Sequence, residues 1–290
     1  MSRLPTDAPA SLPNRVGVGV GVRGWPARAL QQLRRATRRG AVHTLFVHAG
    51  GVSAFSPAAR GDATGPHAHA SAGGWCAAHR GHAANVVVSG HLLFSLHVSA
   101  ALPLGDATTL RTYAQQQFGH YHGAQAQAWP LAVWHEARQR VACALHGIDL
   151  PALRAQAEAH GVHLRYMVPA WAVALRSARQ QVPSLASGRS AVVLVEGTLV
   201  TWMLLDSGAL AGLRERFLDT PTPASLTALL TELNAEFGAF DAPPVVLGYG
   251  LADALAMHTA ATALPFQTLG TLADTAPARH WVVASAGVRE

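Results

Sequence analysis

The chain has 290 residues, half of them hydrophobic and 13% charged, enough to bury the core of one large domain or of two lobes. It contains no lysine, which excludes mechanisms that need a Schiff-base lysine, a phosphate-loop lysine or a lysine general base. Cys76 and Cys143 are too few to staple a fold and fit no zinc or redox spacing.

The positive charge of the chain is concentrated at one end. Residues 1–40 contain eight arginines and one aspartate, a net charge of +7. Residues 41–290 contain the other 14 arginines and 15 acidic residues, a net charge of −1. Such a distribution suits an anionic membrane surface or an acidic partner better than a groove for duplex nucleic acid. The sequence has no apolar run of eighteen residues and no secretory-signal pattern, so we expect a soluble cytoplasmic protein.

The first half begins with an irregular arm at residues 1–24 and a helix at 26–39 that ends at Gly40. Residues 42–47 and 52–55 form a predicted hairpin around Gly50 and Gly51. Residues 56–82 are rich in Gly, Ala, Ser and His and are interpreted as a mobile loop. The further predicted elements are strands at 85–88, 92–98, 128–134, 141–145 and 164–168, and helices at 106–118, 149–160 and from 169 onward.

The second half begins again with a hairpin. Residues 191–195, 199–205 and 210–217 form a predicted three-stranded meander with turns at Glu196-Gly197 and at 206–208. The remaining predictions are helices at 225–237 and 251–258, a strand at 245–247 and a short apolar segment at 281–288. Because hairpins open both halves and helices alternate with strands, the pattern predicts an α/β protein of two similar lobes.

Four segments carry a resemblance to a known family. Residues 147–170 read as a helix, a glycine, a strand and a proline that starts a helix of small residues. Residues 192–214, 246–255 and 282–287 follow in order as a second hairpin, a glycine-rich turn and a closing segment. In this order and spacing the chain, from about residue 41 to residue 290, resembles the PilM and GspL-type proteins of the actin-like superfamily.

The resemblance implies an α/β, two-lobed actin-like (ribonuclease H-like) fold. Its expected parts are a basic tail and helix at 1–40, a first lobe at 41–182, and a second lobe at 183–290 whose C-terminal helix packs back on the first. It also implies a vestigial nucleotide groove. The residues expected to line that groove are His48, Gly50, Gly51, Glu196, Gly197, Thr198, Gly248 and Gly250.

The first of the two groove turns argues against hydrolysis of ATP. Active actin-like ATPases carry a carboxylate beside each glycine turn, because Mg²⁺ prefers hard oxygen ligands and the attacking water must be oriented. Here His48 occupies the first carboxylate position, and Glu196 is the one acid left. Backbone N–H groups of the two turns still suit an anion, so ATP and Mg²⁺ binding stays open, as does the interpretation of Glu196 as a solvated turn residue.

The sequence offers two weaker alternatives. A metal site built from Cys76 and the histidines of the glycine-rich segment has loose spacing. A Ser-His-Asp hydrolase that uses Ser89-Gly-His91 and residues 247–250 lacks a Gly-x-Ser-x-Gly elbow. Residues 118–123 are interpreted as a turn that follows the helix at 106–118. The histidines of the metal alternative are His67, His69, His79 and His82.

The resemblance implies a non-catalytic scaffold at the cytoplasmic face of the bacterial inner membrane. Such a protein captures the cytoplasmic segment of a single-pass assembly protein in a cleft or at a sheet edge, and contacts the assembly ATPase. No nucleic acid is expected, and a homodimer is left open. The alternatives are an active actin-like ATPase or sugar-kinase relative, and a basic membrane-surface or nucleic-acid adaptor. The arginines expected to form a partner or membrane surface are Arg28, Arg34, Arg35, Arg38 and Arg39.

Overall fold

The computed structural model describes residues 42–55, 67–99, 101–136, 139–220, 223–238, 240–241, 244–249 and 267–271. The predicted helices at 26–39 and 251–258, the closing segment at 281–288, the five surface arginines and Gly250 lie outside these residues. None of the helices in the described ranges is long and apolar enough to cross a membrane.

The first part of the chain alternates strands with helices, as the sequence predicts. Short 3-10 turns at Gly90–Leu92 and Ala124–Ala128 connect some of them. In chain order the elements are β1 (Val42–His48), β2 (Gly51–Phe55), β3 (His67–His69), α1 (Ala72–Ala78), β4 (Ala83–Val88), β5 (Leu93–Ser99), α2 (Ala107–His122), β6 (Leu131–Glu136), β7 (Gln139–Leu145), α3 (Leu150–Ala159), β8 (His163–Pro169) and α4 (Ala170–Gln181).

The second part contains the predicted meander, a helix and two further strands. A 3-10 turn at Pro183–Ala186 leads into it from α4. In chain order the elements are β9 (Arg189–Glu196), β10 (Leu199–Asp206), β11 (Ala209–Phe217), α5 (Pro223–Phe237), β12 (Val245–Tyr249) and β13 (Gln267–Thr271).

The two large sheets have the same topology. Their strand orders are β3-β2-β1-β4-β8 and β11-β10-β9-β12-β13. In each, an antiparallel meander is followed by two strands that pair in parallel with it and with each other. A third, antiparallel sheet in the order β5-β7-β6 lies between β4 and β8 in the sequence. The repeated order explains why the sequence shows two similar halves.

The largest core cluster joins the sheets through α4. It contains Phe46 of β1, Cys143 of β7, Trp171 of α4 and Met203 of β10, each at most 3% exposed. Burial of one large apolar side chain contributes about 1.5–3 kcal/mol, so a cluster that takes members from all three sheets couples them strongly. The helix that the sequence predicts from residue 169 is therefore the central packing element.

Helix starts follow the capping residues in the sequence. Asp106 accepts hydrogen bonds from the N–H groups of Thr108 and Thr109, at 2.8 and 2.9 Å, and Asp149 accepts one from Ala152 at 2.9 Å. Each aspartate satisfies N–H groups that have no partner inside its helix. The predicted helices that begin at these residues are confirmed.

Some local predictions were wrong. Residues 118–123 are not a turn, because α2 continues to His122 and ends at Gly123, whose φ is +88°. The described part of the segment 56–82 holds β3 and α1, with Ser71 capping α1 through Gly74 N–H at 3.1 Å. The sequence also gave no prediction of β13.

Candidate functional site

The two glycine hairpins of the predicted groove are joined by the segment that follows β4. Ser89 N–H donates to the carbonyl oxygen of Val47 at 2.8 Å, next to the first turn. Gly90 N–H donates to the carboxyl group of Glu196, which precedes the second turn, at 3.2 and 3.3 Å to the two oxygens. Consecutive residues thus connect the ends of β1 and β9. We call this connection the inter-lobe junction, formed by Val47, Ser89, Gly90, His91 and Glu196.

His48 folds back onto its own turn. Its Nδ1 accepts a hydrogen bond from Gly50 N–H at 3.2 Å, and its Nε2 lies 3.4 Å from Ser53 Oγ. Its ring also stacks on Phe46 with 5.6 Å between centroids. Burial lowers the pKa of His48, which agrees with a neutral ring whose Nδ1 accepts. The N–H group of Gly50, which the sequence predicts to bind an anion, is therefore already hydrogen-bonded to the imidazole of His48.

Glu196 is 2% exposed, so its interpretation as a solvated turn residue is wrong. His91 Nε2 donates to the main-chain oxygen of Glu196 at 2.7 Å. Burial raises the pKa of Glu196 to about 7, and the neighbouring Ser89 hydroxyl and Gly90 N–H oppose that rise. The side chain is thus committed to the inter-lobe junction.

Gly90 is the position where the junction requires a glycine. A Cβ there would lie 2.5 Å from Leu199 Cδ2 and 3.0 Å from Glu196 Oε2. Its φ is not in the left-handed region, so the requirement is one of space. The sequence marks Ser89-Gly90 as a link between strands and gives no sign that a distant carboxyl group packs on it.

A second, partly buried carboxyl group, Glu215 of β11, was not predicted. Its Oε1 accepts a hydrogen bond from Ser95 Oγ of β5 at 2.9 Å. Burial raises the pKa of Glu215 to about 7, although the bond from Ser95 opposes this. Ser95 Oγ also lies 3.7 Å from Cys143 Sγ. The thiol of Cys143 is a buried neutral group, because burial raises its pKa to about 12.

The remaining groove residues lie at the expected ends of strands. Gly51 and Gly197 have φ values of +133° and +61°, which glycine adopts without steric cost. Thr198 accepts a hydrogen bond through its main-chain oxygen from Leu218 N–H at 2.7 Å. Gly248 pairs with Val195, one residue before Glu196, so the structure brings β12 to the same edge as the second turn.

The described residues do not fit a magnesium nucleotide as they are arranged. The imidazole at the first turn offers no hard oxygen ligand, and the carboxyl oxygens at the second accept from Gly90 N–H. Gly197 alone of the turn glycines has open space beside it, with no heavy atom within 4 Å of a Cβ placed there. We therefore assign no reaction step to this groove.

The histidines near α1 form a packed cluster. His43 Nε2 lies 2.8 Å from His82 Nδ1, and His79 stacks on Trp75 with 4.6 Å between ring centroids. The pKa of His43 is lowered to about 4 by burial first and by His82 and His79 second. Within the described ranges, no three His, Cys, Asp or Glu side chains are placed to hold a metal ion.

Comparison with known proteins identifies the fold. No family model matches the chain, and no curated protein matches it by sequence. Solved structures do match, and the three that follow each do so at probability 1.00. A protein of unknown function with an actin-like ATPase fold from Bacteroides thetaiotaomicron has a TM-score of 0.54 and 9% identity, covering 85% of this chain and 97% of its own.

The other two structures belong to bacterial assembly systems. The cytoplasmic domain of EpsL, an inner-membrane component of the type II secretion system of Vibrio cholerae, has a TM-score of 0.54 and 12% identity, covering 87% of this chain and 97% of its own. A PilM-PilN type IV pilus biogenesis complex has a TM-score of 0.51 and 13% identity, covering 86% and 99%. The predicted two-lobed actin-like fold is confirmed.

Proposed function

We propose that this chain is a non-catalytic scaffold of a type IV pilus or type II secretion assembly platform, located in the cytoplasm at the inner membrane. In this role it binds the cytoplasmic segment of a single-pass membrane partner and contacts the assembly ATPase. Two actin-like neighbours that match over most of the chain come from these two systems, which supports the choice of system. The proposed lobes are residues 41–182 and 183–290.

The inter-lobe junction is the observation that carries the non-catalytic part of the proposal. An actin-like ATPase needs carboxylates that face the nucleotide and its metal ion. In this chain the acid of the second turn, Glu196, instead accepts a hydrogen bond from Gly90, and His48 takes the N–H group of Gly50. In both turns, the side chain that precedes the glycine hydrogen-bonds to the protein's own main chain.

Partner binding is tested with a synthetic peptide that matches the cytoplasmic segment of a single-pass assembly protein from the same genome. We expect saturable binding to the full-length chain by isothermal titration calorimetry. Two further peptides, N-methylated at odd or at even positions, reveal how the segment binds. A strand added at a sheet edge donates N–H groups to that edge from every second residue. If the peptide binds in this way, one of the two methylated peptides should fail to bind and the other should bind like the unmodified peptide. No binding by the unmodified peptide refutes the scaffold role.

Turnover of ATP is the second test. We expect purified full-length protein with Mg²⁺ and ATP to release phosphate no faster than the Glu196→Ala variant. Phosphate release that depends on Glu196 would refute the non-catalytic proposal and support an ATPase, whereas release of ADP that requires an added sugar would support a sugar kinase.

Deleting residues 1–40, which hold the net +7 charge, tests the adaptor alternative. Salt-sensitive liposome or DNA binding that disappears with this segment would support that role.

A further inference from the structure

Glu196 and Glu215 lie on the same face of the second large sheet. Glu196 is opposite Leu199, and Glu215 is opposite Thr201, so both acids flank β10 two residues apart. Directly opposed residues in an antiparallel pair share a face, as do residues i and i+2 of one strand. Met203, further along β10 on this face, belongs to the core that contains α4. The two acids therefore stand at one end of the buried face.

The groups around the two carboxyls come from the first part of the chain and carry little positive charge. Gly90 N–H donates to Glu196, and the Ser95 hydroxyl donates to Glu215. In the part of the chain that the structure describes, no arginine or histidine side chain is paired with either carboxyl group. The charged or titratable groups beside the two acids make other contacts. The His91 ring donates to the main-chain oxygen of Glu196, and the Arg216 guanidinium donates to that of Glu215. The Arg214 guanidinium lies over the ring of Phe237, and the Cys143 thiol is neutral.

We propose that Glu196 and Glu215 form a proton-dependent latch that holds the second sheet against β5 and the segment after β4. When the pair carries protons, the neutral carboxyl groups of buried Glu196 and partly buried Glu215 accept from Gly90 N–H and Ser95 O–H at little electrostatic cost. When both ionise, two like charges share one face of the sheet, and no arginine or histidine of the described residues is paired with either. Ionisation therefore loosens the contact between the lobes, and acidification tightens it.

The hydroxyl of Thr201 supports this reading. It is 1% exposed, belongs to the residue directly opposite Glu215 on the same face, and has no hydrogen-bond partner among the described residues. A hydroxyl can donate to an ionised carboxyl group or accept from a protonated one. A spare hydroxyl beside two acids thus suits a site whose proton count changes.

The direction of the pH effect follows from the raised pKa values. Both groups have a pKa of about 7 in the folded protein against an ordinary value of 4.5. The closed junction therefore binds more protons than an open one, and its extra stability, fully present below pH 4.5, is lost as pH rises through 7. Between pH 6 and pH 8 each carboxyl should weaken the closed state about tenfold.

Amide hydrogen exchange of Gly90 in the full-length protein measures the latch directly. After correction for intrinsic exchange, we expect its protection factor to fall about tenfold or more from pH 6 to pH 8. Glu215→Gln keeps an oxygen for Ser95 and removes one charge, so the fall should become clearly smaller. Glu158→Gln, at an exposed acid on α3, is the matched control and should behave as the wild type.

A measurement on the unmodified protein keeps the proposal testable if a variant does not fold. Carboxyl ¹³C resonances of glutamate should show two groups that titrate well above pH 6. Midpoints near 4.5 for every glutamate would overturn the latch. So would protection of Gly90 that stays constant between pH 6 and pH 8, or a Glu215→Gln variant that cannot be distinguished from Glu158→Gln.

Discussion

Gly90→Ala is the sharpest test of how the two lobes are joined. The new methyl group would lie 2.5 Å from Leu199 Cδ2 and 3.0 Å from Glu196 Oε2, and Leu199 is only 1% exposed. Overpacking of this kind costs about 1–3 kcal/mol, and displacing a carboxyl from a buried N–H adds to it. We expect a total loss of about 2–3 kcal/mol in the free energy of unfolding, or about 5–10 °C in Tm.

The clash partner can be identified by a double-mutant cycle followed by urea denaturation. Leu199→Ala alone should cost about 3 kcal/mol through the cavity it leaves. With Gly90→Ala that cavity receives the new methyl group, so the double variant should be more stable than the sum of the two single losses. Gly105→Ala, where a Cβ meets no atom within 4 Å, is the control and should change stability by less than about 1 kcal/mol. Wild-type stability of Gly90→Ala, or strict additivity with Leu199→Ala, would refute the packing described.

Three further predictions concern single positions. Asp106→Ala should lower stability by about 1 kcal/mol in thermal melting because it removes the α2 cap, and Asp106→Asn should recover most of it. Gly197→Ala places a side chain at φ +61° and should lower the free energy of unfolding by about 1 kcal/mol. Asparagine adopts this conformation more readily than alanine, so an equal loss for Gly197→Asn would contradict the left-handed turn. His43, whose pKa is lowered to about 4, favours the folded state above pH 6.5, and this stability is lost as pH falls toward 4. In denaturation experiments, the free energy of unfolding of His43→Asn should therefore fall less between pH 6.5 and pH 4 than that of the wild type.

Local patterns in the sequence predicted most of the fold. Alternating apolar residues on both sides of Gly50-Gly51 and Glu196-Gly197 gave the two hairpins, and Asp106 and Asp149 gave two helix starts. These signals work because each depends on residues within one turn or one strand pair. Where the local pattern was weak, the prediction failed: the glycines of α1 concealed a seven-residue helix that Ser71 caps.

The chemistry of the candidate site could not be predicted in the same way. Gly90 and Glu196 are 106 positions apart, and Ser95 and Glu215 are 120 apart. Their meeting depends on how the second sheet packs on the first part of the chain, which no window of sequence encodes. From the sequence, a glutamate beside a glycine turn, such as Glu196, is predicted to be solvated or to bind a metal ion. Its burial becomes visible only in the tertiary structure.

The last residue before the glycine turn can be compared in the two large sheets. In the first sheet it is His48, and in the second it is Glu196. Each side chain accepts a hydrogen bond from a glycine N–H: His48 from Gly50 in its own turn, and Glu196 from Gly90 across the junction. A ligand that used either N–H group would first have to displace an internal acceptor, and for Glu196 that would also leave a carboxyl group buried without its donor. An anion would therefore have to compete at the first turn with a contact inside the turn, and at the second with the contact that joins Glu196 to Gly90.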